Sequence, residues 1–231
     1  MLPLKDDVRT STTPVVTVAL VTANALAFLY QVSLGGAGGE ARAAHEITME
    51  FGLIPCRLTG LCASPPGFPS ATLTLFTSAL LHAGFFHVGA NLLYLWIFGS
   101  TVEDTLGHGR FLLFYLGSGA AAGLAQVAVE PGSPVPMIGA SGAVSGVLGA
   151  YLLLFPHARV LTVVAFGFFV RVVRVPALLV LGLWLVVQLV NGLLMAGGEG
   201  SLGGVAWFAH IGGFVAGMGL LLALRRSVRR S

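Results

Sequence analysis

Long apolar stretches separated by polar loops dominate the pattern of this chain. A helix needs about 20 mostly apolar residues to cross a bilayer, and six stretches approach or reach that length. They run from Pro14 to Leu34, Phe85 to Val102, Phe111 to Val129, Ser141 to Phe155, Ala177 to Met195 and Val205 to Leu224. The pattern therefore predicts an all-α polytopic membrane protein with six transmembrane helices.

Three connections between these spans differ from simple polar loops. Residues 35–80 form a long first loop in which apolar and charged positions are mixed, and part of it is expected to lie in the membrane interface. Val160 to Val175 is apolar but contains Arg171 and Arg174, which predicts a re-entrant or interfacial connection. Glycine-rich residues 196–204 predict a mobile cap loop. The predicted organisation is an N-terminal tail (1–13), one membrane domain (14–224) and a basic tail (225–231).

Composition and charge support a membrane location and indicate an orientation. Only 9% of the residues are charged, against about 25% in a soluble domain, so there is too little charge to cover a water-facing surface. Of the 12 lysine and arginine residues, only Arg42 and Arg57 fall on the side opposite the N-terminus. The positive-inside rule then predicts both termini in the cytoplasm. The same distribution indicates membrane topology rather than nucleic-acid binding.

The predicted location is a plasma membrane, such as a bacterial inner membrane, with the long first loop outside. Cys56 and Cys62 both lie in that loop. On an oxidising side of the membrane they can form a disulfide. Spacing alone does not decide between a disulfide and two unpaired cysteines, so both alternatives stay open.

Polar groups inside apolar spans are costly and by default indicate function. His82, His87 and Asn91 lie at the start of the second span, Ser141 opens the fourth, and His210 lies near the start of the sixth. All three spans enter the membrane from the outside in the predicted topology. The three groups are therefore expected to meet at a similar depth on one side.

Small residues give these groups a way to come into contact. Gly139 and Gly142 flank the Ser141 position, while Gly213 and Gly217 follow His210 at a four-residue spacing that lets another helix come close. This pattern predicts a hydrogen bond between Ser141 and His210.

The residue types then predict serine hydrolase chemistry. Histidine is well suited to accept a serine proton near neutral pH, so His210 would activate Ser141. His87 and Asn91, four residues apart on one helix face, would donate hydrogen bonds to the oxyanion, together with the backbone N–H of Ser141. No acidic residue lies at this depth in the spans, so the sequence predicts a Ser-His dyad.

Two further assignments concern the remaining polar residues. His82, His87 and His210 lack the i, i+4 pair of a helical zinc motif and an accompanying acidic base, so we expect no metal and no cofactor.

Gln188 and Asn191 in the fifth span are expected to form helix–helix hydrogen bonds or to line a substrate gate.

Three motifs in this order resemble the rhomboid family of intramembrane serine proteases. They are the run from His82 to Asn91, the tetrapeptide Gly139 to Gly142, and the run from Ala209 to Gly213; Val102, Glu103 and Gly107 are also similar. The resemblance extends from about Leu75 to Leu224 and implies a six-helix rhomboid bundle.

The resemblance also implies roles. Ser141 would be the nucleophile, His210 the base, and His87 and Asn91 oxyanion donors, whereas His82 would anchor a loop. Substrates would be transmembrane proteins, cut at or near the outer membrane edge, with small residues favoured at the cut. They would reach the site between spans or past a mobile cap. Neither a particular substrate nor the oligomeric state follows from the sequence.

Two positions depart from the family pattern. The first loop has no Trp-Arg pair, only isolated arginines, and Ser145 stands where some members carry a tyrosine that stacks on the catalytic histidine. We therefore expect Trp207, Phe208 or a neighbouring backbone group to orient His210.

Two other classes of protein are considered beside a protease. The first is a catalytically silent rhomboid-like protein that binds membrane clients, against which the intact Ser141 and His210 argue. The second is a small transporter, which would predict inverted repeats, and the sequence contains no convincing internal repeat.

Overall fold

Apolar helices make up most of the structure, a computed structural model that describes residues 2–34, 40–166, 169–196 and 205–224. Residues 197–204 of the predicted cap loop and the predicted basic tail (225–231) lie outside the described residues. The described helices are α1 (Val15–Leu34), α2 (Glu40–Phe51), α3 (Pro55–Leu58), α4 (Thr74–Thr77), α5 (Phe85–Tyr94), α6 (Ser100–Leu106), α7 (His108–Val129), α8 (Ser141–Leu154), α9 (Ala177–Ala196) and α10 (Trp207–Leu224). The strands are β1 (Leu2–Asp6), β2 (Arg159–Phe166) and β3 (Phe169–Pro176).

Among the residues that the structure describes, five helices are long and apolar enough to cross a membrane. They are α1, α7, α9, α10 and the continuous helix Phe85–Leu106, in which a π-helical turn (Leu95–Gly99) joins α5 to α6. The apolar helix α8 is shorter, with 14 residues. The mostly helical polytopic membrane fold predicted from the sequence is confirmed.

The short helix α8 forms the centre of the bundle. Nine of its 14 residues are buried, and Tyr151 packs against Phe98 with ring centroids 4.8 Å apart. At 1.5 Å per residue α8 measures roughly 21 Å, which is less than the hydrocarbon thickness of about 30 Å. A helix this short can begin within the membrane, and its first residue is Ser141.

Glycines bring α8 and α10 into backbone contact. A Cβ atom at Gly213 would overlap the carbonyl of Gly142, and one at Gly217 would overlap the backbone of Gly146. Only residues without a side chain allow this approach, as the small-residue spacing of the sequence predicts. The contact brings the N-terminal turns of the two helices together.

Carboxylates at the far end of the second membrane helix hold the start of α1. Glu103 is fully buried and accepts hydrogen bonds from the backbone N–H groups of Val16 (2.9 Å) and Thr17 (2.7 Å). Asp104 accepts bonds from Ser11 and Thr12 just before the helix. Negative charge next to the unpaired N–H groups of a helix N-terminus is stabilising.

A three-stranded antiparallel sheet lies at this same end of the bundle. β2 and β3 form a hairpin with Val160 opposite Val175, and β1 pairs with β2. The connection Val160 to Val175, predicted to be re-entrant or interfacial, thus forms two paired strands. Its place relative to the membrane interface stays a prediction. The third strand is supplied by the predicted N-terminal tail.

The carboxylate of Asp6 connects the sheet to the helices. It accepts hydrogen bonds from Thr101 Oγ1 (2.9 Å) and Tyr151 Oη (3.0 Å). Burial raises the pKa of the Asp6 carboxyl above its usual value. The N-terminus and the α8–α9 connection therefore lie on the same side of the bundle.

The first loop is folded and cross-linked. Cys56 and Cys62 form a disulfide with their Cα atoms 5.2 Å apart, which decides between the two alternatives left open by the sequence. Arg57 donates to the carbonyl of Met49 (2.5 Å) and lies 5.3 Å from the ring centroid of Phe68. These contacts anchor the loop in the absence of a Trp-Arg pair.

Candidate active site

The loop before α8 holds Ser141 at the start of that helix. This loop is itself hydrogen-bonded to the long first loop. Leu53 and Met137 exchange backbone hydrogen bonds of 3.0 and 2.8 Å, and Gly139 N–H donates to the carbonyl of Ser78 (2.9 Å). Gly139 has φ +117°, which lies in a region that favours glycine. Because Ser141 follows this turn directly, its N–H belongs to the first helical turn and has no partner within the helix.

His210 reaches Ser141 from α10. The distance from His210 Nε2 to Ser141 Oγ is 2.7 Å, so the hydrogen bond predicted from the sequence is present in the structure. The start of α10 is fixed by Gln126 of α7, whose Oε1 accepts from the N–H groups of Phe208 (3.1 Å) and Ala209 (3.2 Å). This amide occupies the position of a helix N-cap and sets the height of His210 in the bundle.

The second nitrogen of His210 contacts α9. Nδ1 lies 2.7 Å from Oε1 of Gln188, and Gln188 is only 6% exposed. The rings of Trp184 and Trp207 lie 6.0 and 6.3 Å from the imidazole, centroid to centroid. Trp207 was among the groups expected to orient His210, whereas Gln188 and Trp184 were not.

Ser145 does not replace the missing aromatic ring. Its hydroxyl is fully buried and donates to the carbonyl of Ser141, 2.6 Å away on the preceding turn of the helix. Asn191 of α9 likewise bonds within its own helix, to the carbonyl of Val187 (2.7 Å). Of the two polar residues predicted for helix–helix hydrogen bonding in the fifth span, Gln188 therefore makes such a bond.

His87 and Asn91 stand in different situations. His87 lines the same cavity as Ser141 and His210, and a Cβ atom on Gly139 would come within 2.7 Å of the His87 ring. The amide nitrogen of Asn91 donates to the carbonyl of His87 (2.9 Å), and the side chain is almost completely buried. The structure therefore brings His87 to Ser141 and holds the Asn91 amide against its own helix.

A cavity of about 420 Å³ opens above these residues. Ser141, His87 and His210 lie in its lining. The other lining residues are Pro55 of α3, Ala83 just before α5, Gln126 of α7, and residues of the loop before α8 or around the start of α10: Glu130, Ser133, Val135, Pro136, Met137, Ile138, Val205, Ala206, Trp207 and Phe208. Its mixed lining and its size suit a short extended peptide segment together with water.

His82 lies behind the cavity and joins the loop to α1. Its backbone N–H donates to Gln31 Oε1 (3.0 Å), and its ring packs edge-on to Phe28 and His87. Burial, with a smaller effect of the nearby His87, lowers the pKa of His82 to about 4. Within the described residues no three His, Cys, Asp or Glu side chains gather around a common point.

Sequence reasoning missed Gln126, and it predicted a helix–helix hydrogen bond for Gln188 without identifying His210 as the partner. Gln126 and Gln188 are amides in otherwise apolar helices, so the rule that flagged the histidines applies to them equally. Spacing along one helix cannot reveal their partners, because Gln126 bonds to α10 and Gln188 to His210. Matching the polar residues of different spans by their expected depth in the membrane would have suggested both contacts.

Comparison with known proteins connects this arrangement to one family. Residues 69–227 match the rhomboid domain. The chain is 36% identical over 102 residues to "Rhomboid protein 1, mitochondrial" of Saccharomyces cerevisiae, which is 41% of this chain and 28% of that protein. It is 46% identical over 78 residues to "Rhomboid protease GluP" of Bacillus subtilis, 34% of this chain and 15% of that protein. Over 153 residues it is 34% identical to "RHOMBOID-like protein 1" of Arabidopsis thaliana, 65% of this chain and 34% of that protein. The matches thus cover well under half of each relative's length.

Proposed function

This chain belongs to the rhomboid family, and on that premise we propose that it is an intramembrane serine endopeptidase. It would hydrolyse peptide bonds in or near the transmembrane segments of membrane proteins. The observation that carries the proposal is the 2.7 Å hydrogen bond between Ser141 Oγ and His210 Nε2 at a cavity. A bare pair of polar side chains is costly inside a bundle of apolar helices, so its presence requires a reason.

The reaction follows from the positions of these two side chains. As Ser141 Oγ attacks the scissile carbonyl carbon, His210 Nε2 accepts the hydroxyl proton. The imidazolium then donates that proton to the leaving amine nitrogen as the C–N bond breaks, which leaves an ester on Ser141. A water molecule repeats the sequence: His210 takes its proton, its oxygen attacks the ester, and Ser141 leaves with the proton restored.

The tetrahedral intermediates place a negative charge on the former carbonyl oxygen. The backbone N–H of Ser141 and the ring of His87 would donate hydrogen bonds to it, and Asn91 would contribute after its amide turns away from the His87 carbonyl. Donors of this kind act strongly where water is scarce. Gly139, Gly142, Gly213 and Gly217 would serve the reaction indirectly, through backbone conformation and close helix approach.

The substrates and the orientation belong to the same proposal. The chain is a multi-pass membrane protein, and we propose one domain over residues 14–224 in a plasma membrane, with the cavity opening to the extracytoplasmic side. The disulfide in the loop that grips the Ser141 segment supports this side, because disulfides persist in oxidising compartments. Transmembrane proteins would bring an unwound segment to the cavity.

Reconstitution tests the proposal directly. Purified protein would be incubated with a transmembrane model substrate carrying small residues near the outer membrane edge, and Ser141→Ala and His210→Ala would be compared with wild type. A fluorophosphonate should label Ser141 in the wild type and should lose that label in His210→Ala. Ser100→Ala is the matched control, since its hydroxyl donates to the carbonyls of Trp96 and Ile97 on the preceding turn of its own helix.

Two outcomes would contradict the proposal. Cleavage by Ser141→Ala at the wild-type rate would assign the reaction to another protein or another residue. Specific substrate binding without cleavage, and without labelling of Ser141, would favour the client-binding alternative.

A further inference from the structure

Gln188 of α9 contacts the imidazole that would act as the base, and the reaction sequence above makes no use of it. Its Oε1 lies 2.7 Å from His210 Nδ1, and the side chain is almost completely buried. Neighbouring residues of α9 such as Leu183, Val186 and Val187 leave large parts of their side chains exposed on the outer surface of the bundle. A buried amide in such a helix is expensive unless a partner satisfies it, and here the partner is His210.

The contact favours one of the two tautomers of His210 over the other. Neutral imidazole has one N–H donor and one acceptor. If Nδ1 is protonated, it donates to Gln188 Oε1 and leaves Nε2 free to accept the Ser141 hydroxyl proton. In the other tautomer Nε2 carries the hydrogen and cannot act as the base. The carbonyl of Gln188 therefore favours the one tautomer that is competent for the proposed reaction.

We propose that Gln188 is a positioning residue, which holds the His210 imidazole in the Nδ1–H tautomer and directs Nε2 at Ser141. The proposal deepens the proteolytic function proposed above and rests on it. Gln188 would provide, as a neutral amide, the orientation that an acidic third residue provides in a Ser-His-Asp triad. Trp184, one turn earlier on α9, limits rotation of the ring from a second direction.

Few other charged groups can influence this histidine. His87 of α5 is close enough to interact electrostatically with His210. Glu130, in the loop before α8, lines the same cavity. The described cavity lining contributed by α7, α8 and α10 contains no further titratable side chain apart from His210 itself. A charge introduced at position 188 would therefore act on His210 with little interference.

Two substitutions and one control test the proposal. Gln188→Met keeps the length and removes the carbonyl acceptor, and we expect kcat to fall about tenfold with KM unchanged, the loss of one hydrogen bond to the reacting group. Gln188→Glu restores an acceptor, so we expect turnover above that of Gln188→Met and an acid limb of the kcat/KM profile shifted to higher pH, since a carboxylate stabilises the imidazolium. Asn191→Leu is the matched control on α9, because within the described part of the chain its amide donates to the carbonyl of Val187 on its own helix.

A kcat of Gln188→Met within twofold of wild type would overturn the proposal. The proposal would also be overturned if folded Gln188→Glu showed the same kcat/KM pH profile as the wild type. Gln188 would then act only in packing. Imidazole ¹⁵N spectra, with the His210 signals identified by their loss in His210→Asn, provide a readout that does not need cleavage. The wild type should show the Nδ1–H tautomer and Gln188→Met should not. Failure of the wild type to cleave or to be labelled would instead count against the proposed function alone.

Discussion

The absence of a side chain at Gly139 sets the position of the residue across the cavity. The φ of +117° suits glycine, and the His87 ring occupies the space in which a Cβ atom would lie. A methyl group at position 139 would both strain the backbone and displace His87 from the neighbourhood of Ser141. Gly139, two residues before Ser141, is therefore constrained both by its backbone conformation and by the His87 ring.

Gly139→Ala should accordingly reduce turnover strongly and lower the melting temperature. The backbone strain alone is expected to cost about 1–3 kcal/mol. Gly84→Ala is the control, since it lies beside the same histidine with nothing within 4 Å of an added Cβ. The comparison uses thermal unfolding in detergent and cleavage of a transmembrane model substrate. Equal behaviour of the two variants would contradict this account of Gly139.

His87 and Asn91 should differ in their contribution to catalysis. We expect His87→Ala to lower kcat by about 10²–10³, the range for an oxyanion donor, with a smaller effect on KM. Asn91→Ala should lower kcat less, because its amide nitrogen is held by the His87 carbonyl and must turn to reach an oxyanion. Steady-state kinetics on both variants check this order. If these substitutions changed KM and left kcat unchanged, the proposed oxyanion role of His87 and Asn91 would be wrong.

At the scale of single helices, the contact between α8 and α10 determines whether the two reacting side chains meet. Gly146 and Gly217 touch through their backbones, two turns away from the site. Any group that separates the helices there also moves His210 away from Ser141. The packing surface is thus part of the site even though Gly146 and Gly217 carry no side chain.

Gly217→Ala should therefore lower both stability and activity. Overpacking of this kind costs about 1–3 kcal/mol, and the melting temperature should fall with it. Gly219→Ala is the matched control, two residues further along α10 with nothing within 4 Å of its Cβ. It should keep activity when both variants are assayed at the same protein concentration. An unchanged cleavage rate in Gly217→Ala would show that the site tolerates helix separation.

Local pattern and spacing predicted the membrane helices and the Ser141–His210 pair, because a span needs an apolar run and close packing needs small residues. The start of the second span, Phe85, agrees with the sequence interpretation. The sheet was not foreseen, since its first strand (Leu2–Asp6) is short and its partner follows more than 150 residues later. The bond of Gln188 to His210 was missed for the same reason. Both depend on contacts distant in sequence.

Over the whole molecule, the two ends of the helix bundle have different construction. One end holds the cavity, the disulfide and the loop that grips the Ser141 segment. The other holds the sheet and the carboxylates Glu103 and Asp104, which fix the start of α1. A chain with its N-terminus in the cytoplasm would place the disulfide end outside.

Cysteine labelling in intact cells tests this orientation. We expect a membrane-impermeant maleimide to label the protein only after treatment with a reducing agent, because Cys56 and Cys62 are paired in the first loop. Cys56→Ser should expose Cys62 to the reagent without reduction. Labelling that requires the membrane to be permeabilised would place this loop in the cytoplasm and reverse the proposed orientation.

The pairing of β1 with β2 has a consequence for how the protein is made. Leu2 lies opposite Val163, so the first strand has no partner until β2, more than 150 residues later, has been synthesised. The backbone N–H groups at the start of α1 likewise lack their hydrogen-bond acceptor until Glu103 has been synthesised. The chain therefore makes α1 before the contacts that hold its start can form, and β1 completes its pairing only after much of the chain has been made. A purification tag fused before Leu2 would extend an edge strand directly.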